Sequence, residues 1–134
     1  MQLHISLLLA GLIAQDSPAP LAGHWTNQAR TVVIAIAPCS GVGWCGTVVW
    51  ASDQAAADAR RAGTASLLGT ELLVGFVAIA PDRWKGRVFI PDLGKNSVAE
   101  LRQLTIDRLM IRGCTLGGLL CKSQVWTRTE APPG

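Results

Sequence analysis

Residues 97–114 read SVAELRQLTIDRLMIRGC. Counted in twos, Ala99, Leu101 and Gln103 fall on one face and Glu100 and Arg102 on the other. After a short TID break, Leu109, Ile111 and Gly113 share a face opposite Met110 and Arg112. Side chains of an extended chain alternate between two sides, so this pattern predicts two antiparallel strands with one side toward a core.

The same reading extends outward in both directions. Candidate strands are Gly23–Asn27, Thr31–Ala37, Cys45–Ala51, Glu71–Ala80, Gly86–Pro91, Ser97–Leu104, Arg108–Cys114 and Lys122–Thr129. Turn-rich pieces separate them: NQAR, PCSGVGW, PDRWK, PDLGK, TID and TLGGLL. Eight short strands at this spacing predict an all-β fold, an antiparallel up-and-down barrel whose closure removes exposed edges. SDQAAADARRAG predicts the one short helix, capped by Ser52 or Asp53, alanine-rich within and stopped at Gly63. VVIAIA and ELLVGFVAIA are apolar on both faces, which calls for a second covering layer or leaves an apolar outer face.

In such a barrel the first and last strands are neighbours. Trp25 of GHW, entered through Gly23, can then meet Arg128 of WTR, with the guanidinium lying on the indole as a structural plug at one barrel end. Period two places Gln124, Trp126 and Arg128 on one face.

A chain of 134 residues has room for one core, and the folded domain is read as residues 21–130, with 131–134 a tail. Residues 1–14, MQLHISLLLAGLIA, carry an apolar run of signal-peptide length, too short to cross a bilayer as a helix. Residues 15–20 form a proline-containing leader. No transmembrane helix is expected after processing. The net charge of +3 is spread along the chain with interspersed carboxylates, so no nucleic-acid partner is expected.

Cys39 and Cys45 enclose SGVGW, and Cys114 and Cys121 enclose TLGGLL. Zinc knuckles use tighter spacing backed by histidine, and the only histidines are His4 and His24. Disulfides fit better, because glycines let a hairpin end turn sharply enough to join its sulfurs. The three possible pairings stay open at this point. Any of them needs an oxidising compartment, in agreement with export. No metal and no cofactor is expected.

Catalysis is not expected either. A nucleophile needs a base, and His24 beside Trp25 is read as an end residue. Asp92, Glu100 and Asp107 would have to converge for acid–base work, yet Asp92 and Asp107 sit in turn sequences. The glycine-rich cysteine loops lack the Gly-Lys-Ser/Thr ending of a phosphate loop.

The ordered set GHW, VVIAIAPCSGVGWCGTVVW, DARRAGTASLLGTELL, IPDLGK, LMIRGC and CKSQVWTR resembles the bacterial domain-of-unknown-function family numbered 2147, from Gly23 to Arg128. The resemblance implies an exported protein, periplasmic or secreted, with a lipocalin-like barrel, and implies no established activity. Between Asp53 and Leu68 the chain departs from many members, which carry an Asn-Pro-containing stretch there.

Two functional readings follow. In the first, the barrel binds a small apolar molecule among Val74, Phe76, Leu101, Ile111 and Trp126, with Gln124 or Arg128 as a polar handle. If both cysteine loops lie at one mouth, Trp44, Leu116, Leu119 and Leu120 make an apolar rim. In the second, tryptophans fill the space left by small inward residues such as Ala35, Gly75 and Ala99. The outer face or rim then binds an envelope protein.

Overall fold

The computed structural model describes residues 21–115, 120–130 and 132. The expected signal segment 1–14, the leader 15–20, Leu116, Leu119 and most of the tail lie outside these residues.

Eight strands follow one another around a closed antiparallel barrel: β1 (Gly23–Thr26), β2 (Val32–Pro38), β3 (Trp44–Ala51), β4 (Glu71–Ala80), β5 (Arg83–Ile90), β6 (Lys95–Thr105), β7 (Arg108–Thr115) and β8 (Leu120–Thr129). Helix α1 (Asp53–Arg61) stands between β3 and β4. Its start is set by Ser52, whose hydroxyl accepts from the Ala55 N–H at 3.1 Å. Ala59 is the residue it buries in the core.

An up-and-down order sends every second connection to the same end of the barrel. The turns after β1 and β5, the β3–β4 connection carrying α1, the finish of β7 and the start of β8 share what we call the upper end. The turns after β2, β4 and β6, with the start of β1 and the finish of β8, share the lower end.

Alternation governs the inward faces as the sequence reading expects in β6, β7 and β8. Leu101 pairs with Ile111 across β6–β7, Leu109 with Trp126 across β7–β8, and all four are buried. In β2, Ile34 and Ile36 point inward, so Ala35 faces out with His24 of β1 rather than into the core.

Two strands depart from the sequence reading. β5 begins at Arg83, not Gly86, because PDRWK holds a two-residue turn followed by regular alternation. Trp84 and Gly86 point inward, while Arg83, Lys85 and Arg87 point out. In β4 the glycine at 75 has φ +66°, and the register shifts between Val74 and Val77. This bulge places two residues opposite one. Leu73 and Phe76 both reach the core, whereas Val74 stands opposite exposed Arg87 on the outer face. Gly75 is therefore part of a bulge, and Val74 is not an inward residue.

At the lower end Trp25 and Arg128 occupy paired positions, with the Arg128 guanidinium carbon 4.3 Å from the indole centroid. Arg128 Nη1 donates to the Ala22 carbonyl at 2.8 Å, and Nε and Nη2 donate to that of Ile106 at 3.1 and 3.0 Å. Trp25 Nε1 donates to the Leu21 carbonyl at 3.0 Å. One guanidinium thus ties the incoming chain to the β6–β7 turn. Gly23 makes room for it, since a Cβ built there lies 2.8 Å from Arg128 Nη1 and the backbone has φ +129°. Gly23→Ala is expected to cost about 1–3 kcal/mol from left-handed strain and displacement of the arginine. An unchanged urea midpoint would contradict this packing.

Both disulfides are local, Cys39–Cys45 across β2–β3 and Cys114–Cys121 across β7–β8. Each restricts a short loop, worth about 2–2.5 kcal/mol on the chain-entropy account. They sit at opposite ends of the barrel, lower and upper respectively.

Candidate functional site

The upper end holds a pocket of about 230 Å³ between α1 and the barrel wall. Its apolar floor comes from Val32, Leu67, Leu72 and Trp126; its polar rim comes from Asn27, Gln54, Asp58, Asp92 and Gln124.

Four of the five rim groups have side-chain bonds that hold them in position. Asn27 closes the β1–β2 turn, where its side-chain carbonyl accepts from the N–H groups of Thr31 (2.9 Å) and Val32 (3.0 Å). On α1, Gln54 and Asp58 are one turn apart, and Gln54 Nε2 donates to Asp58 at 2.8 Å. Arg61 pairs with the same carboxylate. Gln124 and Trp126 share the inward face of β8, and Trp126 Nε1 donates to Gln124 Oε1 at 3.0 Å. The indole is buried, while Gln124 is open to solvent at the mouth. A ligand polar group that displaced this bond would find an amide already oriented toward the opening.

Of the residues expected to contact a ligand, Gln124 and Trp126 line this pocket. Phe76, Leu101 and Ile111 are buried in the continuous core with Trp25 and Trp84. Val74 is on the outside. The expected common rim does not form. Trp44 is at the lower end, half-buried beside Phe76, whereas the exposed Leu120 opens β8 at the upper end; Leu116 and Leu119 lie outside the described residues. Sequence reasoning missed Asn27, Gln54, Asp58 and Asp92, which it treated as turn and helix residues. Strand parity was the available signal, because connections after odd-numbered strands meet at one end.

The three carboxylates considered for acid–base chemistry are dispersed. Asp92 is at the upper end, Glu100 is on the outer face of β6 and Asp107 is in the lower turn 3.5 Å from Arg128. His24 lies on the outer side of β1 opposite Ala35. Among the described residues no group of three or more His, Cys, Asp or Glu could hold a metal ion. No helix among them is long and apolar enough to cross a membrane.

Residues 23–128 match the model of a family described as an uncharacterised protein conserved in bacteria, DUF2147. The chain belongs to this family. That span covers all eight strands save the last residue of β8 and takes in Gly23, Trp25 and Arg128. No curated protein matches the chain. Among solved structures it is similar to HP1028 from Helicobacter pylori, described as belonging to the lipocalin family. The two share 15% identity with a TM-score of 0.61, over 82% of this chain and 83% of that one. At this identity the likeness shows a lipocalin-like fold.

Proposed function

We propose that this DUF2147 member is an exported, non-enzymatic barrel that takes a small, largely apolar molecule at its upper mouth. The observation that carries the reading is the pocket floored by Trp126 and rimmed by Gln54 and Gln124. An apolar floor with a few oriented polar groups is the usual form of a small-molecule site. The fold adds support, since eight-stranded barrels of this kind hold at most one small ligand. Size limits the choice: a cavity of roughly 150 Å³ takes one benzene ring, so this pocket suits a bicyclic ring or a short acyl chain. Two disulfides are in keeping with an oxidising compartment, periplasmic or extracellular.

Titration of the disulfide-bonded chain with indole and with octanoate, followed by amide NMR, tests the reading. Shifts at Gln54, Gln124 and the Trp126 indole are expected, and Gln54→Trp should abolish them by filling the mouth from an exposed position. Absence of shifts, or shifts indifferent to Gln54→Trp, would overturn it.

The packed tryptophans favour a second reading, an envelope protein-interaction module with a solid core. Trp25, Trp84 and Trp126 together with Phe76 occupy the barrel interior. A pull-down of a protein partner by a chain that takes up neither probe would establish it.

A further inference from the structure

Counted along the chain, the basic residues look scattered; counted by face, half of them converge. On β5, Arg83, Lys85 and Arg87 alternate with inward Trp84 and Gly86 and so all point outward. The neighbouring strands continue the row: Arg102 of β6 lies opposite Arg83, and Arg112 of β7 lies across Glu100 of β6 from Lys85. Arg108 completes the set on β7, next to buried Leu109. Among the described residues, these six share the face with Glu100 of β6 and, at its lower margin, Asp82, so cations outnumber carboxylates there. The face is therefore locally cationic, although the net charge of the chain is only +3.

Intramolecular pairing does not account for this face. Among the described residues, Arg83 and Arg102 are the two of the six with a carboxylate within reach, Glu100 at 3.9 Å and Asp82 at 4.0 Å, all largely exposed. Arg83 and Arg102 also stand directly opposite each other, a like-charge cross-strand pair that works against the fold. Apolar side chains lie among the cations. Val98 is 54% exposed beside Arg87, and Val77 is 42% exposed beside Lys85.

We propose that the outer face of β5–β6–β7 docks the barrel on an anionic lipid bilayer. The arginines and lysine would meet headgroup phosphates, and Val77 and Val98 would enter the headgroup layer. A soluble polyanion would use the cations but give the exposed valines no role. A bilayer surface uses both, because its potential attracts each nearby cation and its interface accepts short apolar side chains. The upper pocket is not on this face, so docking leaves the mouth free.

Co-sedimentation of the disulfide-bonded chain with vesicles tests the proposal. Vesicles of phosphatidylglycerol and phosphatidylcholine in equal parts should carry the protein down at low salt, and pure phosphatidylcholine vesicles should not. Arg87→Glu/Arg112→Glu should weaken binding by at least about tenfold. Arg30→Glu/Lys95→Glu, the same charge change at exposed upper-end positions, should have a much smaller effect. Val98→Ser should weaken binding with no change in charge. Equal losses in the two charge-reversed proteins would overturn the proposal. So would no pelleting with the anionic vesicles, or capture by polyphosphate without capture by vesicles. Indole and octanoate titrations read the pocket independently of this result.

Discussion

Trp25→Ala is expected to cost about 3–5 kcal/mol, a large part of the roughly 5–15 kcal/mol by which an ordinary domain is stable. Trp25 is fully buried, so truncation empties the lower core and removes the donor to Leu21. It also removes the ring beneath Arg128. Arg128→Ala should be costly through a different route, leaving the Ile106 and Ala22 carbonyls without the guanidinium that now serves both. Because ring and guanidinium are in contact, the double substitution should cost less than the two singles added, by about 0.5–2 kcal/mol. Urea denaturation of the four proteins measures this. Strict additivity would show that the two groups act separately despite their contact.

The second large effect is expected at the β4 bulge. Phe76→Ala should cost about 3–5 kcal/mol, since the ring is fully buried at the centre of the core. Gly86 lies beneath that ring: a Cβ built there falls 2.8 Å from the phenyl carbons and 2.8 Å from the Val74 carbonyl oxygen. Gly86→Ala alone should therefore cost about 1–3 kcal/mol by overpacking. In the Phe76→Ala background its cost should fall but not vanish, because the methyl then enters the vacated space yet still meets the Val74 carbonyl. An undiminished cost, again read from urea midpoints, would show that the ring is not the obstacle.

The strand order and closure were legible in the sequence wherever one residue in two is apolar, as in Ala99–Leu101 and Leu109–Ile111. Where the alternation changes phase it misled. Nothing in ELLVGFVAIA marks Gly75 as a bulge rather than an ordinary strand residue, and the one-residue slip moved Val74 to the wrong side. PDRWK looked like a turn because it is polar and begins with proline, although Arg83, Lys85 and Arg87 already show the spacing of a strand. The charged face was hidden for the same reason, since it forms only when three strands stand side by side. Of the candidate site, Trp126 and Gln124 could be read from their place on β8. Their partners Asn27, Gln54 and Asp92 come from segments far apart in sequence that meet through strand parity.

The joining of the four-residue β1 to β8 also sets an order of events during synthesis. The bond from Arg128 to Ala22 spans 106 positions, so the cylinder cannot be sealed before the chain has emerged as far as Arg128. Until then both outermost strands present unpaired amides and carbonyls, and this late, long-range step is the one expected to limit the folding rate. The sulfur bridges need not wait for it. Each spans a single hairpin, so oxidation can fasten both ribbons while the wall is still open.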